Sequence, residues 1–305
     1  MLVSVVILIH DESINHIDKC VKSIVSQTYS NFEIVIVDDS NKKINENYFL
    51  NLKKNKININ YFKYDEKINL PEARNIGISK SSGKYIFLQD SDDWSEPNRI
   101  EDQLLYLKNG IDICCGLTNY YNSTEQFIFN VKQKLELKKI EYTNIIRNNH
   151  VAIGSVAFRK DIFKGDINIF KSEIKFCDDM DFVLRNSKKF NFVQINKLIY
   201  NYRFNKNSST LNTNDKLQPF LDFLVLQEMY RSNNFDIDNV RNGIINTNKN
   251  YVFDKNNKQR ISYMAYSGNY LSALKNSKGI KLKIYCFLII FKVLILLFKN
   301  KKNEN

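Results

Sequence analysis

The chain has 305 residues, 43% hydrophobic and 26% charged, enough to bury a sizeable core in one large or two small folded units and incompatible with general disorder. Five cysteines (Cys20, Cys114, Cys115, Cys177, Cys286) without paired spacing and only three histidines argue against a disulfide framework or a structural zinc site, and for a reducing compartment. A formal net charge of +12 asks for an anionic partner: nucleic acid, a nucleotide or a lipid surface.

Val3 to Ile9 is a continuous apolar run that meets His10-Asp11-Glu12 without a basic leader, so it reads as a strand and not as a signal peptide. Ile14, Ile17, Val21, Ile24 and Val25 follow at helical spacing. Phe32 to Val37 is a second strand, ending in Asp38-Asp39-Ser40, with a helix expected around Ile44, Tyr48 and Leu52. Ile57, Ile59 and Tyr61 alternate as a third strand, Pro71 opens a short helix at its favoured first position, and Tyr85 to Leu88 is a fourth strand. Strands alternating with helices predict an α/β fold with a mostly parallel central sheet covered on both faces. In such sheets ligands bind outside the carboxyl ends of the strands, where both Asp38-Asp39 and Asp90-Ser91-Asp92-Asp93 fall. An acidic cluster of that kind suits a hard divalent cation, Mg²⁺ or Mn²⁺, shared with substrate phosphates; acidic loops also cap strands in many proteins. No Gly-x-Gly-x-x-Gly and no Gly-Lys-Ser/Thr follows the first strand, which argues against dinucleotide oxidoreductases and P-loop enzymes.

An ordered string of segments resembles the inverting glycosyltransferases of family 2, which have the GT-A fold. It comprises Ser4-Val5-Val6-Ile7, Ser23 to Tyr29, Glu33 to Asp39, Ala73-Arg74-Asn75-Ile76-Gly77, and Gly83 to Trp94 with Pro97 beyond. The strong match covers residues 3 to about 110, and a looser one runs to about 210. The resemblance implies that Asp39 hydrogen-bonds the base of a nucleotide-sugar, usually uracil. It places Asp90 near the ribose or metal, Asp92 as the direct ligand of Mn²⁺ or Mg²⁺, and Arg74 near the donor. Simpler readings stand beside these: Arg74 pairs with a neighbouring carboxylate, Asp38 caps a strand end, and Trp94, the only tryptophan, packs under the loop.

The acceptor hydroxyl must lose a proton as it attacks, and a carboxylate is a suitable base. Cys177 to Arg185 resembles the family's Glu-Asp-x-x-Phe-x-x-Arg element, with Asp178 in place of Glu and Asp179 matching the base. Two aspartates there also simply favour a helix N-terminus. Tyr202 to Ser209 resembles a segment that closes over the donor diphosphate, with Arg203 as a phosphate contact and Asn205 where relatives have histidine. Leu8 and His10-Asp11 depart from the usual front motif; His10 either stacks near the base or faces solvent. Residues 145–165, with Ala152 to Arg159, resemble the strand and turn leading toward the acceptor site.

Eight lysines between Lys275 and Lys302 bracket the apolar stretch Ile284 to Phe298, which contains Lys292. A spanning helix needs about 20 apolar residues, so a helix lying in the membrane interface fits better, with a short span and a helix docked on the protein's own core as the remaining readings.

These readings divide the chain into a nucleotide-sugar-binding half (1–110), an acceptor-binding half (111–210), a helical C-terminal region (211–278) and a basic amphipathic membrane-associating tail (279–305). The expected activity is metal-dependent transfer of a hexose or N-acetylhexosamine from a UDP-sugar to a saccharide or lipid-linked saccharide acceptor in surface polysaccharide synthesis. The expected location is cytoplasmic, on the inner face of the membrane, with no nucleic acid partner. Two rivals are a nucleotide-sugar-binding pseudoenzyme in a membrane assembly complex and a sugar nucleotidyltransferase. The second would ordinarily carry a Gly-rich loop where Ile9-His10-Asp11-Glu12 has none.

Overall fold

The computed structural model describes residues 1–204 except 41, 55–56, 131–136, 142–144, 146–150 and 175–176, together with a few positions between 225 and 240. The chain divides into two units, Met1–Phe204 and Asn205–Asn305. The helical region expected at 211–278 lies almost wholly, and the tail at 279–305 and Asn205 entirely, outside the described residues. Among the described residues no helix is long and apolar enough to cross a membrane.

The first unit begins with β1 (Val3–Ile9), α1 (Ile14–Val25), β2 (Phe32–Asp38), α2 (Lys43–Lys54), β3 (Ile59–Lys63), α3 (Leu70–Lys80) and β4 (Tyr85–Asp90). β1 to β3 and β4 pair in parallel in the order β3-β2-β1-β4. Continuous apolar strands such as Val3–Ile9 suit this arrangement because both faces are covered. α1 starts at the cap Ser13, whose side chain accepts from the His16 N–H, and buries Ile17, Cys20, Val21 and Ile24. α3 is capped by Asn69, so the helix opens one residue before Pro71, which sits in its first turn. Gly77 lets α3 lie close to β1, since a Cβ there would collide with the Val6 side chain.

The second half completes one 10-stranded sheet through β5 (Trp94–Ser95), α4 (Arg99–Lys108), β6 (Ile113–Tyr121), β7 (Phe127–Asn130), β8 (Leu137–Lys139), β9 (Ala157–Arg159), α5 (Asp178–Lys189) and β10 (Phe192–Arg203). The order continues β4-β9-β6-β10-β5. The sheet expected to be mostly parallel is therefore mixed. β9 runs antiparallel to both β4 and β6, β5 antiparallel to β10, and β7 and β8 antiparallel to their partners, while β6 and β10 are parallel. Among the described residues of the second half, one long helix, α5, follows β6, and it precedes β10, which is parallel to β6, while the strands joined by short returns pair antiparallel.

Candidate active site

The ends of β1, β2 and β4 and the start of α5 supply the chemistry. At the end of β2 the two aspartates have separate duties. Asp38 is fully buried; its Oδ1 accepts from the Ser40 N–H (2.8 Å) and its Oδ2 from the Tyr61 hydroxyl (2.8 Å). It fixes the bend of its own loop. Asp39 is also buried, with Oδ2 accepting from the Ile68 N–H (2.8 Å) and Oδ1 2.6 Å from His10 Nδ1. Burial alone would push the Asp39 carboxyl up, but the bonds from His10 and Ile68 outweigh it and hold the group below the usual carboxylate range.

At the end of β4 the acidic loop is held from below. Asp93 is buried and takes the Arg203 N–H on Oδ1 (2.7 Å) and the Tyr200 hydroxyl on Oδ2 (2.7 Å). The same hydroxyl accepts from the Asp90 N–H at 3.4 Å and stands 3.3 Å from Asp90 Oδ2. Burial, then the neighbouring Asp92 and Asp90, drive the Asp93 carboxyl well above its ordinary value. Burial, with Asp90 and Glu12 nearby, pushes Asp92 up to about 7. Gly154, in a short 3-10 turn, faces this knot. A Cβ there would intrude on the Tyr200 hydroxyl and lie 2.6 Å from Asp90 Oδ2. Gly154→Ala should therefore displace Asp90 and lower activity more than it lowers the melting temperature, a comparison that activity and thermal melts on one preparation would check.

Arg99 supports the loop from within the core. Fully buried, it donates to Leu88 O (2.7 Å), Gln89 Oε1 (2.8 Å), Ser95 Oγ (2.9 Å) and Gln103 Oε1 (3.0 Å). Burial lowers its guanidinium pKa to about 10.

Arg203, at the end of β10, donates from Nε to the Asp92 carbonyl (2.8 Å) and from Nη1 to Glu125 Oε1 (2.6 Å). Its guanidinium lies 5.1 Å from the Trp94 ring centroid, and the Lys19 ammonium covers that ring at 3.6 Å. Glu125 also pairs with Lys19 and holds a left-handed backbone (φ 63°). Trp94 thus contacts two cations, with the Tyr121 ring at 4.7 Å. Nη2 of Arg203 is buried and has no partner among the described residues.

Arg74, buried on α3, pairs with Asp178 at the start of α5 and lies 3.7 Å from Asp90. It links the acidic loop to the helix that carries Asp179. α5 is set by its motif residues: Phe182 stacks on Phe170 (centroids 4.6 Å apart), and Arg185 bonds Asp181 (2.8 Å) and Ile169 O (2.8 Å). Asp178, Asp179 and Asp181 in its first turn complement the helix dipole. Asp179 is part-exposed, and its Oδ1 accepts from the Met180 N–H (2.7 Å).

The sequence-predicted Arg74 and Asp90 meet, with Asp178 as the other partner of Arg74, and Asp92 adjoins Asp90, while Asp39 stands with His10 just beyond the end of β2, which is separated from β4 by β1. Sequence reasoning did not single out Tyr200, Arg99 or Glu125, nor the contact role of Gly154. Arg99 offered a signal only in standing at helical spacing with Gln103 and Leu107 on the face that also carries Ile100 and Leu104.

Residues 4–165, over half of the 305, match the family described as "Glycosyl transferase family 2". The chain belongs to glycosyl transferase family 2. Asp179 and Arg203 lie beyond the matched family segment. Among curated family relatives, Glycosyltransferase GlyA of Streptococcus pneumoniae is 34% identical over 137 residues, 43% of this chain and 19% of that protein. The uncharacterized glycosyltransferase RC0461 of Rickettsia conorii is 28% identical over 306 residues, 97% of this chain and 47% of that protein. The chain thus spans less than half the length of either relative. Among solved structures, S. aureus TarS 1-349 superposes with a TM-score of 0.60 at 16% identity, covering 100% of this chain and 92% of that one. TarS 1-349 in complex with UDP-GlcNAc gives 0.60 at 14%, covering 99% and 92%. These likenesses establish the GT-A fold.

Proposed function

We propose that the protein transfers a hexose or N-acetylhexosamine from a uridine diphosphate sugar to a saccharide acceptor, with inversion at the anomeric carbon and with the help of a divalent cation. The observation that carries this reading is the junction made by Arg74, which joins the acidic loop at Asp90 to the α5 start at Asp178, beside Asp179. Asp39 receives the base, and Arg74 keeps the two acidic segments in register. Asp179 takes the proton from the attacking acceptor hydroxyl. The nucleotide leaves on the face opposite the attack, so an α-linked donor gives a β-linked product. The bound UDP-GlcNAc in TarS supports a uridine donor.

The residues present fit a hard cation. Asp90 and Asp92 offer oxygen only, and burial with mutual repulsion leaves the Asp92 carboxyl raised, a cost that a cation relieves. No three His, Cys, Asp or Glu side chains form a ready cage among the described residues, so the remaining positions would fall to substrate oxygens and water. Held by Asp92 and Asp90, Mn²⁺ or Mg²⁺ would supply Lewis-acid stabilisation of the departing diphosphate.

The acceptor we infer is a growing surface polysaccharide or lipid-linked glycan at the inner face of the membrane. The lysine-bracketed stretch from Ile284 to Phe298 supports attachment there. UDP release from a panel of UDP-sugars, with Mn²⁺ or with EDTA, tests the central claim. We expect one donor to turn over with Mn²⁺, and EDTA or Asp92→Ala to stop it. Absence of calorimetric binding to every nucleotide-sugar would overturn it.

A further inference from the structure

The donor pocket has an occupant supplied by the chain itself. Asp39 Oδ2 is committed to the Ile68 N–H, and Oδ1 is 2.6 Å from His10 Nδ1. Resting on the uridine-donor reading above, we propose that His10 is a gating residue of the nucleotide pocket. Its ring lies 2.6 Å from an Asp39 side chain that is only 6% exposed, so a base edge that is to reach the carboxylate requires the half-exposed imidazole to move aside.

The local chemistry makes this a latch with two strengths. An ionised imidazole gives Asp39 a charge-assisted bond, about twice as strong as one from the neutral ring. Every charged group around His10 bears on that choice. Asp39 faces it from the end of β2. Asp11, on its own loop, lies 3.6 Å from Nε2, and the Glu12 carboxylate accepts the His10 backbone N–H at 2.7 Å. From the loop before α3, the Lys67 ammonium is 3.4 Å from both ring nitrogens and pairs with Asp11 at 3.2 Å. Lys42 ties the loop down through the Asp11 and Glu12 carbonyls. The bond to Asp39 raises the His10 pKa, burial opposes it, and Lys67 offsets part of the gain. The imidazolium form is therefore favoured while the latch is shut, and the stability it gives is present at low pH and lost as pH rises through the raised pKa.

Opening the latch returns His10 toward the ordinary imidazole value, so donor binding releases a proton to solvent. The side chain is half-exposed, at 47%, so it can swing outward without unpacking the core. A base edge that replaces it must present an N–H to the carboxylate. Uracil does so, and a cytosine ring in its neutral form does not at the same position.

The test is calorimetry of the full chain with UDP-GlcNAc and UDP-glucose and Mn²⁺, in buffers of different ionisation enthalpy. These donors have no phosphate proton that titrates near neutrality. Expected for wild type is proton release on binding and affinity that rises roughly three- to tenfold from about pH 6 to about pH 8, the range of one hydrogen bond's net worth. His10→Ala should bind more tightly at the acid end and release fewer protons than wild type, and His10→Gln should show a shallower pH dependence, the remainder in both being the proton that Asp92 loses as the cation binds. Donor binding that is weakened by His10→Ala, or that takes up a proton, would show that His10 grips the base and would overturn the latch. Binding that is unchanged in both variants would overturn it equally. Absence of binding to either donor in all three proteins would instead bring down the uridine-donor reading itself.

Discussion

Asp179→Asn is expected to lower turnover by about 10²- to 10⁴-fold, the contribution usual for a positioned general base, while leaving the affinity for the nucleotide-sugar unchanged. The substitution is nearly isosteric. It keeps the oxygen that accepts the Met180 N–H and removes only the capacity to take a proton. Because Asp178 is committed to Arg74 in a buried pair, it is poorly placed to substitute for its neighbour. UDP release under saturating donor gives kcat, and calorimetry gives affinity. A loss of affinity with unchanged turnover would assign Asp179 to binding and remove it from proton transfer.

Arg74→Ala should cost about 3–5 kcal/mol of stability, the range for removing one partner of a buried ion pair. Asp178 would remain a buried carboxylate without its cation, and Asp90 would lose its link to α5. Urea denaturation should show a lower midpoint at constant slope. The double change Arg74→Met with Asp178→Leu should recover most of that stability without recovering activity, since an apolar pair of similar volume often replaces a buried ion pair at little cost. Failure of the double variant to recover would mean that the loss came from packing against Phe170, which the guanidinium also approaches at 5.3 Å.

Much of the first unit could be read from residue order because its contacts are local in pattern. Val3–Ile9 and Phe32–Asp38 declare themselves by β-branched runs, and α1 by its apolar spacing. The acidic residues declare themselves because three aspartates crowd within four positions onto the end of the apolar run Tyr85 to Leu88. Pairing partners were not legible. Nothing in Ala157-Phe158-Arg159 says that it slots between β4 and β6, since a three-residue strand has no period of its own and its place is chosen by the edges already present. Tyr200 was equally silent. It looks like one more apolar residue until Asp90 and Asp93 close on its hydroxyl 110 and 107 residues away.

That separation shapes how the protein becomes competent during synthesis. The parallel quartet β3-β2-β1-β4 is complete once residue 90 has emerged, and it can condense early because its crossovers are short helices. The Asp90–Asp93 loop cannot. Its props, Tyr200 and the Arg203 N–H, arrive on the last strand of the unit, which must add between β6 and β5. Closing contacts over so long a stretch of chain is slow. A truncated chain that ends before the last strand keeps the clustered carboxylates of Asp90 to Asp93 but lacks the Tyr200 hydroxyl and the Arg203 N–H that hold Asp93.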